Sequence, residues 1–373
     1  MSSALRIQAV RSAQDRSAFI EFPKRLHAAD PHWVAPLNRD LQQLLTPGKH
    51  PFHAEGRIEA FLALSGQRVV GRIAAIRNPA HERHWSEDVH FFGFFESEND
   101  PAVAQALVGA VAERTEGRRL LRGPFSPSTN YECGVLVDGQ AGCPALMMPH
   151  NPPWYGTLLE STGLRPRMDL LAFEFLNESV DLARWQRIAT LIRKRENVSL
   201  RPFNMSEFPR EVELVQRLYH DAWRSNWGFV PMSPAELRAM AHELKPIIRP
   251  ELGAFVMRGD EAVAFQLALP DYNEVLQRLK GRLFPTGFLR LLLSKRRIRH
   301  MRVMLMGVSA AHQHRGLDVL LYADIAEKAR TYGILSTEAS WILESNTAMI
   351  NSITRGGGTY KRRYRIYETS LSH

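Results

Sequence analysis

Hydrophobic and polar positions along the chain follow two alternating periods, one typical of strands and one typical of helices. Apolar residues at every second position, or in short unbroken runs, predict strands, and apolar residues three or four positions apart predict helices. Before Leu182 this pattern predicts strand, helix, hairpin, strand, helix, strand, helix and strand, from LRIQAV to MDLLAFEF. After Val198 the same order returns, from SLRPF to YKRRYRIYE.

The repeated order predicts an internal duplication. Ala60-Phe61 corresponds to Ala254-Phe255 in the two hairpins, and Asn151 and Asn346 open corresponding helices. This period is too long for a solenoid. We therefore expect an α/β (α+β) protein with two tandem domains, each a mixed, mostly antiparallel sheet flanked by helices. The expected ranges are 1–178, a linker helix at 179–197, and 198–373.

Composition limits the class of protein. The 373 residues are 45% hydrophobic and 23% charged, which is typical of a globular protein with two domains. The apolar runs fall short of the roughly 18 residues that span a bilayer, and the N-terminus lacks an export signal. Cys133 and Cys143 cannot form a disulfide framework, and the histidines show no zinc-ligand spacing. We expect a cytoplasmic protein without a metal.

The net charge of +9 indicates an anionic partner, and one segment concentrates that charge. Residues 276–302, which largely overlap a predicted insertion at 273–300, hold nine Lys and Arg and no acid among leucines and phenylalanines. This mixture favours peripheral binding to an anionic membrane surface, here the inner membrane, over nucleic acid, which calls for aromatic stacking and polar base readers. The alternative is a hairpin packed on the protein with its arginines in water.

A long loop at 126–151 has no regular periodicity, and loops of this length are usually functional when ordered. Its mixture of polar and apolar residues suits an amphipathic substrate, and its candidate catalytic residues are Tyr131, Glu132 and Asp138. A lid packed across the domain interface is the alternative.

The segment MRVMLMGVSAAHQHRGLDVLLYADIAEKARTYG predicts a strand that passes through a basic loop directly into a helix. Free backbone N–H groups and the positive end of the helix dipole would converge at Gln313 to Leu317, which suits a pyrophosphate. An ordinary turn served by Gly316 is the alternative, because a short Gly motif is a weak signal.

This segment resembles the acyl-CoA signature of the GNAT acyltransferases, [Gln/Arg]-x-x-Gly-x-[Gly/Ala], although Asp318 stands at the final small position. The resemblance implies that the next strand separates from its neighbour to admit the pantetheine arm, with Glu344 and Asn346 beyond it. The implied cofactor-binding residues are Val308, Gln313, His314, Arg315, Gly316, Leu317 and Asn346. At the equivalent place the first half has Glu96, Glu98 and Asp100, so we expect no CoA there.

The whole chain resembles a family of bacterial tandem-GNAT proteins through GPFSPSTNYECG at 123–134, MPHNPPWY at 148–155 and GRLFP at 281–285. That family includes the bacterial ceramide synthases. The resemblance implies an enzyme that moves a fatty acyl group from the co-substrate acyl-CoA to the amine of a long-chain sphingoid base, 3-oxosphinganine. The alternatives are a Fem-type aminoacyl-tRNA-dependent transferase and a non-enzymatic lipid- or nucleic-acid-binding protein with a decayed CoA site.

Direct attack of the amine on the thioester requires a general base. The candidates are Tyr131, Glu132 and Asp138 in the first half and Glu344 in the second. A long acyl chain also requires an apolar tunnel, for which the candidates are Phe284, Phe288, Met304, Met306 and Trp341.

Overall fold

The computed structural model describes residues 4–281, 287–294 and 297–371, without the side chains of 288 and 290–292. The chain divides into two compact units. The first comprises Met1–Leu170, Asn273–Leu292 and Arg362–His373, and the second comprises Leu171–Tyr272 and Leu293–Lys361. These ranges differ from the predicted domains, because part of the insertion and the end of the chain group with the first unit.

The first unit is built on a mixed sheet. The strands of this sheet are β1 (Leu5–Ala9), β2 (Arg57–Ser65), β3 (Arg68–Arg77), β4 (Val89–Ser97), β5 (Leu120–Gly123) and β8 (Val135–Asp138). Strands β6 (Phe125–Ser126) and β7 (Glu132–Cys133) form a separate two-stranded sheet. Strands β1 to β5 lie in chain order and are antiparallel except for the parallel pair β4–β5. The C-terminal strand, Thr359–Ser370, pairs antiparallel with both β5 and β8.

Helices cover this sheet: α1 (Ala13–Leu26), α2 (Asn38–Leu44), α3 (Pro79–Trp85), α4 (Pro101–Ala112) and α5 (Tyr155–Ser161). The amphipathic pattern of α4 places Val103, Leu107 and Val111 in a core with Val70 and Phe92 of the sheet. Ser12 begins α1 with a capping box to Asp15, which satisfies backbone N–H groups at the helix start.

The second unit repeats the strand order. Its elements, with β9 at the boundary between units, are β9 (Arg165–Leu176), α6 (Leu182–Glu196), β10 (Ser199–Pro202), α7 (Phe208–Trp223), α8 (Pro234–Leu244), β11 (Gly253–Arg258), β12 (Glu261–Pro270), β13 (His300–Val308), α11 (Leu317–Thr331), β14 (Ser336–Leu343) and α12 (Thr347–Arg355). Strands β10 to β14 are antiparallel neighbours except for the parallel pair β13–β14. The C-terminal strand is β15, and the insertion holds α9 (Asn273–Leu276) and α10 (Gly287–Ser294). Short 3-10 helices occupy 51–54, 205–207, 250–252, 277–279 and 310–312.

Two local predictions are wrong. The apolar pattern predicts a single strand over RLLRGPF, but β5 ends at Gly123 and β6 begins at Phe125. The loop at 126–151 contains regular structure, since β7 pairs with β6 and β8 pairs with β15. The predicted linker helix is α6, which packs Ala189 and Ile192 against Leu317 and Leu320 of α11 and so forms part of the second unit's core.

Candidate active site

Strands β13 and β14 of the second unit pair over only part of their length. Their parallel register runs from His300 opposite Ser336 to Val303 opposite Ala339, and both strands continue beyond it. On the other side of β13, the pairing with β12 shifts its register between Leu267 and Ala268. Leu267 lies opposite Leu305 and Ala268 opposite Val303, so the shift falls where the β13–β14 pairing ends. Where the ladder ends, backbone groups of β13 from Met304 onward face the gap and can bind a ligand.

The loop after β13 leads into the N-terminus of α11, which Gly316 caps without a side-chain hydrogen bond. His314 has φ 63° and Gly316 has φ 81°, so two residues of the loop adopt the left-handed region. Such a turn aims successive N–H groups toward one point, and the helix dipole adds positive potential there. This arrangement suits a pyrophosphate.

Contacts from neighbouring elements fasten this loop. The N–H of Ala310 donates to Asp221 Oδ2 at 2.7 Å, and Gln313 Nε2 donates to the carbonyl of Val308 at 3.4 Å. Arg195 Nη2 donates to the carbonyl of Arg315 at 2.5 Å. Sequence reasoning missed Asp221 and Arg195, because they lie far away in the chain on α7 and α6.

Besides Val308 and Gly316, the predicted cofactor-binding residues fall into three groups. Gln313, His314 and Arg315 are exposed, and Arg315 forms an ion pair of 3.3 Å with Glu196. Leu317 is buried in the core, so it can offer a ligand only its backbone. Asn346 caps α12 by accepting the N–H of Met349 at 3.1 Å.

Two further observations bear on whether an acyl-CoA fits. Trp341 on β14 has a buried indole N–H without a hydrogen-bond partner in the part of the chain that the structure describes, which leaves a donor for a ligand near the gap. Asp318 opposes the fit, since its carboxylate accepts the N–H groups of Asp318 and Val319, and burial raises its pKa. We call the loop from Gln313 to Leu317 the cradle. It keeps the left-handed residues His314 and Gly316, which suit a pyrophosphate.

In the first unit the equivalent place is filled by the chain itself. The parallel pair β4–β5 also ends early, at Phe91 opposite Arg122. Beyond it β6 lies against β4: Ser126 Oγ accepts the N–H of Phe94 at 3.1 Å, and a Cβ at Gly93 would collide with the carbonyl oxygen of Phe125. We call Phe125 and Ser126 of β6 the plug. It lies beside β4 of the first unit, at the place that corresponds to the gap beside β13 in the second unit.

The N-terminus of α4, which corresponds to the start of α11 in the second unit, is also occupied, by side chains of the first unit. Asp100 caps α4 by accepting the N–H of Ala102 at 2.8 Å, and Glu98 forms an ion pair with Arg68. Glu96 turns into the interior, which corrects the expectation that it would lie at a phosphate position. A side-chain cap takes the role that a pyrophosphate would have there.

Glu96 is the centre of a buried polar cluster of the first unit. Its Oε2 accepts the hydroxyl proton of Tyr155 at 2.6 Å and contacts His27 Nε2 at 2.8 Å, and its Oε1 lies 3.8 Å from Arg72 Nη2. Burial acts to raise the pKa of Glu96, but His27, Arg72 and Tyr155 outweigh it, and the pKa lies below its ordinary value. Glu96 is therefore ionised at neutral pH.

Glu132 on β7 is a predicted catalytic residue whose acidity is altered by its surroundings. The surrounding protein displaces bulk water and so raises its pKa, the negative charge of Glu96 raises it further, and Arg72 lowers it, giving a pKa of about 7. The side chain is nevertheless exposed to solvent. A molecule from solution can therefore reach a carboxylate that gains and loses a proton near neutrality.

The other predicted catalytic residues lie in different surroundings from those of Glu132. Tyr131 is half-buried with its ring 5.8 Å from that of His50, and Asp138 is exposed at the end of β8. Glu344 is exposed in the turn between β14 and α12 of the second unit. The cluster around Glu96 was missed at the sequence level, because its members come from α1, β3, β4 and α5.

The loop between β8 and α5 is organised by one guanidinium group. Arg362 is 1% exposed, and its Nε and Nη2 donate to the carbonyls of Gly139, Ala141, Gly142 and Cys143 at 2.8–3.1 Å. Asn273, at the start of the insertion, donates to the carbonyls of Pro144 and Ala145. The loop of the first unit is thus held in one conformation by residues remote in sequence.

The described residues contain no helix that is both long and apolar enough to cross a membrane. They also contain no group of three or more His, Cys, Asp or Glu side chains that could hold a metal ion. Arg296, Phe284 and the side chain of Phe288, which belong to the predicted membrane segment or tunnel, lie outside the described residues.

Comparison with known proteins gives both sequence relatives and structural neighbours. The chain is 36% identical over 378 residues to the bacterial ceramide synthase of Caulobacter vibrioides, covering 97% of this chain and 96% of that protein. It is 34% identical over 367 residues to protein YghO of Escherichia coli, covering 96% and 93%. No family model matches.

Solved structures share the fold at low sequence identity. A tandem GNAT protein from the clavulanic acid biosynthesis pathway has a TM-score of 0.57 at 13% identity, over 99% of both chains. A GCN5-related N-acetyltransferase from Sphaerobacter thermophilus has a TM-score of 0.51 at 11% identity, over 98% and 95%. The chain therefore belongs to the tandem GNAT-fold acyltransferase family that includes the bacterial ceramide synthase, and it is an N-acyltransferase.

Proposed function

We propose that the protein transfers a fatty acyl group from acyl-CoA to the primary amine of a long-chain sphingoid base, for which 3-oxosphinganine is the leading candidate. The observation that carries the donor assignment is the end of the β13–β14 ladder beside the N-terminus of α11, where the N-cap Gly316 offers no side-chain hydrogen bond. The acceptor class comes from the relationship to the bacterial ceramide synthase. The thioester supplies the activated acyl group.

The residues of the second unit bind and orient the donor. Backbone N–H groups from Gln313 to Leu317 hold the pyrophosphate, and backbone groups of β13 beyond Val303 lie where charge develops on the thioester oxygen. Met304 and Met306 are half-buried and, with Trp341, offer apolar surface to the acyl chain. These residues position the thioester without forming a bond to it.

Glu132 of the first unit takes the proton from the acceptor amine. Its pKa of about 7 lets the carboxylate accept a proton at neutral pH and release it to water afterwards. Tyr131 and Asp138 belong to the same loop and are the other first-unit candidates for the base. Glu344 lies in the second unit and is the remaining candidate for the base.

Product analysis tests this function directly. Incubation with a long-chain acyl-CoA and 3-oxosphinganine is expected to give the N-acyl amide and free CoA in equal amounts, measured by mass spectrometry and thiol titration. Omitting either substrate serves as the control. Amide formed only from aminoacyl-tRNA, or thioester hydrolysis without amide, contradicts the proposal.

We also propose that the insertion docks on an anionic membrane, where a long-chain amine is found. Helix α10 leaves Leu289 58% and Leu293 70% exposed, four residues apart on one helix face. Arg278, Lys280 and Arg297 of the same segment are exposed cations. Apolar burial and charge attraction then act together on a lipid surface.

Replacing Leu289 and Leu293 by Ser is expected to weaken binding to anionic vesicles at least tenfold, because each buried leucine contributes about 1.5–3 kcal/mol. Co-sedimentation with vesicles of mixed neutral and anionic phospholipid measures this. Leu191→Ser is the matched control, since Leu191 is a 70% exposed leucine on α6. Equal sedimentation of the double variant and the wild type contradicts docking through α10.

A further inference from the structure

The buried cluster of the first unit places a fixed negative charge behind Glu132. Glu96 receives a short hydrogen bond of 2.6 Å from the Tyr155 hydroxyl and contacts His27 Nε2 at 2.8 Å. The Tyr155 oxygen in turn accepts the N–H of Ser97 at 3.1 Å. Tyr155 and His27 both contact the same carboxylate oxygen, Glu96 Oε2, and together they hold Glu96 in a single orientation.

The partners of Glu96 are themselves fixed. Arg72 donates to the carbonyl of Phe19 at 2.8 Å and lies over the Phe19 ring at 4.7 Å, so its charge is tied to α1. The His27 ring stacks on Trp33 at 5.0 Å. Burial keeps the pKa of Tyr155 well above its usual value, and Glu96 adds to this, so Tyr155 remains a hydrogen-bond donor. A cluster that only stabilised the core would not need an ionised carboxylate, since an apolar core of the same shape is commonly as stable.

The plug connects Glu132 to the strand that carries Glu96. Glu132 is the register partner of Ser126, and Ser126 is bonded to β4 through the N–H of Phe94. Glu96 lies two residues further along the same strand. The backbone of the plug thus fixes where Glu132 stands relative to β4.

We propose that Glu96 is a positioning residue for acyl transfer, which presents its fixed negative charge to Glu132 and thereby makes Glu132 able to accept the proton of the amine. The inference rests on the proposed role of Glu132 as the base. The charged and titratable groups around the pair are His27 from α1, Arg72 from β3 and Tyr155 from α5, with His150 and Asp30 beyond His27.

Removing the charge of Glu96 should make Glu132 more acidic. In Glu96→Gln we expect the titration midpoint of Glu132 to fall by about one pH unit, because a nearby like charge disfavours ionisation. Carbon-13 NMR of glutamate-labelled full-length protein measures this, with the Glu132 signal assigned by its loss in Glu132→Gln. The acid limb of the pH–rate profile should move in the same direction.

Three variants make the result specific. Glu96→Asp keeps the charge, so the Glu132 midpoint should stay closer to wild type than in Glu96→Gln. Arg72→Gln removes the positive charge that lowers the pKa of Glu132, so it should raise the Glu132 midpoint, which keeps a test available if Glu96→Gln does not fold. Glu98→Gln, two residues away on the surface, should leave the midpoint unchanged.

An unchanged Glu132 midpoint in both Glu96→Gln and Arg72→Gln would overturn the inference. Failure of the proposed base gives a different result: Glu132→Gln would then retain full turnover, whatever the titration of Glu132 depends on. The NMR readout does not require activity, so the two failures are distinguishable.

Discussion

Glu132→Gln is expected to lower kcat for amide formation by about 100-fold or more, because general bases typically contribute 10²- to 10⁴-fold. Glutamine keeps the size and polarity of the side chain but cannot accept the proton. The affinity for acyl-CoA should not change, since the donor contacts belong to the second unit. Steady-state kinetics with saturating donor and acceptor, together with calorimetry for acyl-CoA, measure both effects.

The pH dependence provides a second readout for the same residue. The base must be ionised, and its pKa is about 7, so wild-type turnover should fall as the pH drops below about 7. This enzyme-dependent limb should disappear in Glu132→Gln, whereas ionisation of the amine itself is common to all variants. Asp138→Asn is the matched control, because Asp138 is an exposed carboxylate of the same loop. A loss in Asp138→Asn with normal turnover in Glu132→Gln would assign the base to Asp138.

Gly316→Glu is expected to weaken acyl-CoA binding by about 100-fold or more. The added carboxylate would stand at the phosphate cradle, where like charges about 4 Å apart cost up to about 4 kcal/mol, and each 1.4 kcal/mol is tenfold. A Cβ at Gly316 would also lie 3.0 Å from Ile192 Cδ1, at a φ of 81° that disfavours side chains. Calorimetric titration of the folded variant measures the loss.

Two controls separate the cradle from general backbone strain. Gly259→Glu places the same side chain at a left-handed glycine of the second unit, φ 59°, with open space around it, and should leave the affinity unchanged. Asp100→Ala removes the side-chain cap of α4 in the first unit and should also have no effect on acyl-CoA. Normal binding by folded Gly316→Glu would refute the cradle, and a large effect of Asp100→Ala would move the donor to the first unit.

Local chemistry made much of the fold predictable. The segment STEASWIL predicts β14, and the structure places that strand at Ser336–Leu343. Strand β1 and helix α4 likewise begin where the pattern predicts them, because the apolar period and the capping residues Asp100 and Pro101 are local signals. The GNAT resemblance rested on the loop at 313–318 and on three motifs elsewhere in the chain, and the comparisons with known proteins confirm it.

Long-range pairing was not predictable from those signals. The strand Thr359–Ser370 reads as the last strand of the second half, but its residues pair with β5 and β8 of the first unit. An alternating pattern specifies that a strand forms and which face is apolar, but it does not specify the partner strand. For the same reason the plug at Phe125 and Ser126 could not be foreseen.

The candidate site was predictable only in part. Glu132 was selected from its loop because of its residue type, while its altered acidity depends on Glu96 and Arg72, which are distant in the chain. His27 and Tyr155 carry no sequence signal of their own, because a single histidine and a single tyrosine on apolar helix faces are typical of a core. His27 and Tyr155 come together at Glu96 only through the tertiary fold.

A crystal structure with a non-hydrolysable acyl-CoA analogue tests the central claim most directly, namely that the second unit holds the acyl donor. We expect the pyrophosphate within hydrogen-bond distance of the backbone N–H groups of Gln313 to Leu317, and the pantetheine arm along β13 beyond Val303. A pyrophosphate bound at the start of α4, or pantetheine displacing β6 from Phe94, would contradict the assignment.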